Sequence, residues 1–167
     1  MRIVLIVSIG MGLLFSQLLG AGCAATPGRI SKTTPVPRID ATEGVGLEGY
    51  DVLAYFLEGK PEKGKEQFTH AWEGVTWKFS TAEHRDLFVA DPERYAPQCG
   101  GYCAYAVSRG TTAHGDPLQW AIVAGRLFVN SNGFAMSLWN RDRTGNIDAA
   151  DQNWPLIRAI VAPPVER

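Results

Sequence analysis

Two cysteines, Cys99 and Cys103, enclose Gly100, Gly101 and Tyr102, and this spacing is the chain's clearest invitation to chemistry. Thiolates are soft ligands that suit Cu(I) or zinc. A four-residue step can bring both sulfurs to one ion, whether the segment is a loop or a turn of helix. In an oxidising compartment the same pair can instead close a disulfide or stay as free thiols. His70, in the run Phe68-Thr-His-Ala-Trp72, would add an imidazole backed by an apolar wall that keeps water away. Its alternative is a core histidine hydrogen-bonded to Ser80 or to a backbone carbonyl. His84 stands four residues after Ser80, on the same face if the segment is helical, and either joins the ligands or faces solvent. His114 lies in the polar run Thr111-Thr-Ala-His-Gly-Asp116 and reads as solvated. Tyr50, Asp51, Tyr55, Trp77 and Tyr102 offer a pocket near His70, with packing as the other use for the tyrosines. Met136 is the last methionine in the chain and the only one beyond the N-terminal apolar stretch, which excludes a methionine-rich copper shuttle.

Catalysis finds less support. A Gly-x-Ser-x-Gly elbow, close carboxylate pairs and a phosphate-cradling glycine loop are all absent. Cys103 and His70 could form a nucleophile pair, but no flanking sequence marks one. A thiol–disulfide oxidoreductase wants Cys-x-x-Cys at a helix N-terminus, where the thiol pKa falls; here the spacing is longer by one and contains Gly-Gly. The formal net charge of -1, without a Lys/Arg run, gives nucleic-acid binding no electrostatic footing.

The elements that must position these residues follow a targeting segment. Met1-Arg2 is a minimal positive start, residues 3–19 are almost wholly apolar, and Gly20-Ala-Gly-Cys-Ala-Ala25 supplies small residues. That order is a secretory signal peptide, residues 1–24. The stretch is also roughly long enough to span a bilayer, which needs about 17–25 residues, but it lacks a basic stop-transfer flank. Cleavage before a lipidated Cys23 and ordinary cleavage after Ala24 or Ala25 are both open, with Gly20 standing where a lipoprotein site prefers an aliphatic residue. Residues 25–42, with Pro27, Pro35 and Pro37, read as an extended tether. The chain is therefore expected outside the cytoplasm, periplasmic or held at the membrane by a lipid anchor alone. Residues 43–162 are expected to form one domain with a sufficient apolar core.

Within it, Phe68–Trp72 and Val75–Phe79 flank Glu73-Gly74, which predicts a β-hairpin. Pairing Trp72 with Val75, His70 with Trp77 and Phe68 with Phe79 puts all six on one face. Ser80 and Glu83 fit a capping box for a helix that stops at Asp91-Pro92, with a further turn over residues 92–95. A second hairpin is predicted over residues 120–130, turning at Ala124-Gly125. Helical segments follow near residues 134–140 and 147–160, with Pro155 interrupting or restarting the last. The fold class is α+β: two hairpins and several short helices.

The run Gly49-Tyr-Asp-Val-Leu-Ala-Tyr-Phe56, then Phe68-Thr-His70, Trp77-Lys-Phe-Ser80, Arg85-Asp-Leu-Phe88 and Asp91-Pro-Glu-Arg-Tyr95 resembles a YHS domain. The Tyr, His and Ser of that name fall on Tyr55, His70 and Ser80. The resemblance continues through Gly100-Gly-Tyr-Cys-Ala-Tyr105, Trp120, Gly125–Asn130 and Asn153-Trp-Pro155, and covers roughly residues 45–159. It implies kinship with small heavy-metal modules whose cysteines enter the helix where this chain has Ser80 and His84. A zinc-type cysteine cluster is therefore out of reach, and another ligand set is needed. Family members usually carry Tyr at the place of Cys99, which makes Cys103 the family feature. Two functions are expected from these readings. The first is a non-catalytic module holding copper, with zinc second, through His70, Cys99, Cys103 and His84. The second is a ligand- or protein-binding domain for a small molecule or periplasmic partner, stapled by a Cys99–Cys103 disulfide.

Overall fold

The computed structural model describes residues 37–160. The signal segment, Cys23 and residues 25–36 of the expected tether lie outside the described residues. The packed part begins before residue 43, because Ile39 and Asp40 are already buried. They lead into a short strand β1 (Ala41–Thr42), which turns back into β2 (Val45–Gly46). Helix α1 (Val52–Leu57) follows, capped by Asp51, whose carboxylate accepts from the Leu53 amide.

The first hairpin forms from β3 (Lys65–Trp72) and β4 (Val75–Phe79). Glu73 and Gly74 both have positive φ, 52° and 79°, the geometry a two-residue hairpin turn requires. Trp72 faces Val75 and His70 faces Trp77 as expected, but Phe79 pairs with Lys65 and not with Phe68. Gly64 explains the shift. It lies so close to β4 that a Cβ on it would stand 2.3 Å from the Lys78 carbonyl carbon. That approach brings Lys65 level with Phe79, and residues 66–68 bulge before pairing resumes at Thr69. The sheet has the order β1-β2-β4-β3, with β2 running parallel to β4.

Helix α2 (Ala82–Ala90) is capped by Thr81, which accepts from the His84 amide, and not by Ser80. Asp91 caps α3 (Pro92–Tyr95). A tight turn over Gln98–Gly101 then delivers the chain to α4 (Ala104–Ser108). The second hairpin pairs β5 (Asp116–Val123) with β6 (Arg126–Asn130) around Ala124-Gly125. Alternation along β6 serves two layers. Leu127 and Val129 enter the core beneath the first sheet, with Val52, Leu53, Trp77, Phe79 and Phe88. Phe128 points the other way, against Ala104 and Trp139.

Helices α5 (Gly133–Arg141) and α6 (Arg143–Ile160) complete an α+β domain. Pro155 does not interrupt α6, although proline removes a helical hydrogen bond. The helix is anchored on both sides of it: Ala150 and Ile157 are buried in one cluster, and Asn153 donates to the carbonyls of Val107 and Ser108. Packing outweighs propensity here. Among the described residues no helix is long and apolar enough to cross a membrane.

Gly64→Ala should lower stability by about 1–3 kcal/mol, the range for overpacking. Gly133→Ala, whose nearest obstacle is a Gln119 oxygen at 3.8 Å, should be neutral or mildly stabilising in urea unfolding. Equal effects of the two would contradict the close approach.

Candidate functional site

The strongest polar constellation is assembled from α1, β4 and α2. Asp51 is fully buried, and its carboxylate accepts from Leu53 N at 2.9 Å, Ser80 N at 2.8 Å and Ser80 Oγ at 2.7 Å. His84 Nδ1 lies 2.6 Å from the same Oδ2. The other ring nitrogen, Nε2, stands 3.9 Å from Glu58 Oε1. His84 is buried, at 9% exposure, and the solvent-facing alternative is corrected. Its placement follows from the helix: Thr81 starts α2, so the third helical residue turns inward over Asp51.

A serine, a histidine and an aspartate in contact invite comparison with a nucleophilic triad, in which the imidazole must take the hydroxyl proton. Here Ser80 Oγ donates to Asp51 and is 3.4 Å from the imidazole nitrogen that already faces Asp51. The hydroxyl is 1% exposed at residue level. Donors saturate a buried carboxylate, and the arrangement cross-links three elements.

The other sequence-derived candidates are dispersed. His70 packs its ring edge-on to Phe88, with centroids 6.2 Å apart. Cys99 has φ of 56° in the tight turn and sits with Tyr102, Val107, Ala150 and Ile157. Burial pushes its thiol up to about 12, with the Asp151 charge adding and Arg126 opposing. Cys103 sits at the start of α4, with Sγ donating to Asn130 Oδ1 at 3.6 Å. Both cysteines are free and buried, so the expected Cys99–Cys103 disulfide is absent from this structure. Three successive positive φ values, at Cys99, Gly100 and Gly101, turn the chain so that each sulfur meets its own neighbours. Among the described residues no three His, Cys, Asp or Glu side chains group as a metal ion requires. No group of three that includes His70, His84, Cys99 or Cys103 is brought together among the described residues.

The expected aromatic pocket is filled. Tyr55 and Trp77 are 1% exposed and Tyr102 is 4%. Tyr55 Oη donates to the Pro117 carbonyl, and burial raises its pKa. Trp77 Nε1 donates to the Trp72 carbonyl. Tyr50 lies half-buried at the edge, with Lys63 Nζ 3.9 Å from its ring centroid.

An open cleft of about 260 Å³ lies elsewhere, between the N-terminal segment, the first hairpin, the tight turn and α6. Trp72 and Trp154, both half-buried, contribute indole walls, Arg38, Arg158 and Glu93 contribute charges, and Cys99 and Gly100 form the floor. Gly100 is required there: a Cβ would meet the Arg38 carbonyl at 2.2 Å and the Trp154 ring at 3.0 Å. Sequence reasoning missed Trp154 and Arg158. The available signal was the Asn153-Trp154 pair within α6.

Asp51→Ala should strand four donors and remove the cap of α1, costing at least about 3 kcal/mol in unfolding free energy. Asp51→Asn should retain part of the network and cost less. A thermal melt of Asp51→Ala matching that of the unaltered protein would refute the cross-linking role.

Comparison with known proteins adds no relative, since no family model, curated protein or solved structure matches the chain at a significant level.

Proposed function

We propose that this chain is an exported, non-catalytic binding module of the YHS type, with the cleft between Trp72 and Trp154 as its ligand site. The observation that carries the reading is the convergence of four separate segments on one open, mixed-polarity cavity. Ligand sites combine apolar walls with a few placed polar groups, at volumes near 300–1,000 Å³. A cavity of about 260 Å³, just below that range, suits one ring-sized group, whether a free small molecule or a side chain presented by a partner protein. The indoles would take a flat apolar body, and the arginines and glutamates at the rim would orient a charged end.

The groups that otherwise suggest chemistry are committed to the fold. Asp51 takes Ser80 and His84, and Cys103 takes Asn130. Export rests on the charged start, apolar run and small residues of positions 1–25. The family assignment rests on the ordered motifs from Gly49 to Pro155, including Tyr55, His70 and Ser80.

The test uses ¹⁵N-labelled protein and two probes of opposite charge, phenylacetate and phenethylamine. Saturable shifts of the Trp72 and Trp154 indole signals are expected with at least one probe. Those of the buried Trp77 and Trp139 should stay in place, and Trp154→Ala should abolish binding. Neither probe moving the Trp72 and Trp154 signals at millimolar concentration would count against the cleft.

A further inference from the structure

The walls of the cleft hold more hydrogen-bond donors than acceptors once their pairings with one another are satisfied, and Gln98 sets the pattern. Arg126 reaches it from β6, with Nε 3.0 Å and Nη2 2.9 Å from Gln98 Oε1. A guanidinium only donates, so the oxygen of this amide must face Arg126 and the orientation of the group is fixed. Arg126 is itself held by α6, its Nη1 donating to Asp151 Oδ2 at 2.9 Å. Gln98 lines the cleft and Arg126 does not. With its oxygen turned to Arg126, Gln98 keeps the N–H donors of Nε2 for the cavity, and no described residue accepts from them.

The other lining groups lean the same way. Trp77 Nε1 donates to the Trp72 carbonyl, but among the described residues nothing accepts from Nε1 of Trp72 or Trp154. Arg38 engages Glu73 through Nη1 at 3.1 Å, which occupies that glutamate and leaves the rest of the guanidinium fork. Arg158 is exposed in the last turn of α6 and pairs with no described residue. The remaining carboxylate of the lining, Glu93, is exposed at the rim, where water and salt screen it. The donors are also held in place. The Asp40 amide donates to the Gly100 carbonyl at 2.8 Å and the Asp40 carboxylate accepts from Gly115 N at 2.7 Å, which pins the wall that carries Arg38.

We infer that the cleft selects a small aromatic acid, with its ring against the indoles of Trp72 and Trp154 and its carboxylate received by Gln98 Nε2 and Arg158. The inference rests on the cleft being the ligand site and adds the chemistry that the site selects. An ionised carboxylate accepts hydrogen bonds only, so it complements a set of groups that donate. Bonds to a charged partner are also the stronger ones. An ammonium brings donors alone, which would face donors across the cavity, and the site rejects it for that reason.

The experiment follows the Trp72 and Trp154 indole signals of the full chain during titration with phenylacetate, its neutral isostere phenylacetamide, and phenethylamine. Phenylacetate should bind tightest, with phenethylamine weaker by about tenfold or more. Gln98→Glu keeps a partner for Arg126 and replaces the Nε2 donors with an acceptor. It should weaken phenylacetate by about tenfold and spare phenylacetamide, whose own amide can donate to the new carboxylate. Arg158→Gln, at an exposed position, should weaken phenylacetate severalfold and leave phenylacetamide unchanged. Unmoved Trp77 and Trp139 signals in both variants identify an intact core. Phenethylamine binding as tightly as phenylacetate would overturn the acid selectivity and leave the cleft standing. A preference for phenylacetate undiminished in both variants would overturn the roles of Gln98 and Arg158. Failure of all the probes to move the Trp72 and Trp154 signals would remove the cleft reading, and the acid selectivity with it.

Discussion

One buried carboxylate holds the first half of this domain together. Asp51 has no contact with water, and a charge in that position is tolerable only when its oxygens are fully engaged. It meets the condition by collecting donors from three elements: the first turn of α1, the end of β4 and the start of α2. The aromatic core of Trp77, Phe79 and Phe88 lies alongside these joints. Moving any one element would leave a polar group stranded, so the hydrogen bonds fix a geometry that apolar packing alone would leave looser. The same saturation explains why a serine, a histidine and an aspartate in mutual contact form a structural joint.

Backbone conformation does comparable work in the second half. Cys99, Gly100 and Gly101 wind in the left-handed region, where only glycine is free of steric cost. The turn lets the N-terminal segment cross directly over Gly100 and opens the floor of the cleft beneath Trp154. Arg126 steadies the same turn from β6, donating to Gln98 and pairing with Asp151 of α6. The two cysteines that bracket the glycines are thereby separated in role, one packed in the helical cluster and one facing Asn130.

Local pattern made the hairpin turns legible, because Glu73-Gly74 and Ala124-Gly125 sit between alternating β-rich runs. The α+β class follows from the same signals. Alternation could not reveal the bulge at residues 66–68, which arises from Gly64 touching a strand distant in sequence. Ser80 was readable as a helix cap by spacing alone, but Asp51, 29 residues away, claims its hydroxyl and leaves the cap to Thr81. His84 was legible as a chemical residue and not as a buried one. The cysteine spacing suggested a ligand pair or a disulfide, and the left-handed turn between them carries no signal at the level of residue type. Trp154 and Asp40 acquire meaning only from tertiary contacts with residues far along the chain.

Recognition at the cleft, as proposed, would leave the thiols and imidazoles to the fold. The measurement that tests this most directly is an anaerobic Cu(I) titration of the reduced protein against a competing chelator. Cys99→Ser, Cys103→Ser and His70→Ala variants would be titrated beside it. The account expects competition no stronger than these variants give, with no stoichiometric tight equivalent. One tight equivalent lost on substituting Cys99, Cys103 and His70 would contradict it, and would make the cysteine pair the functional centre.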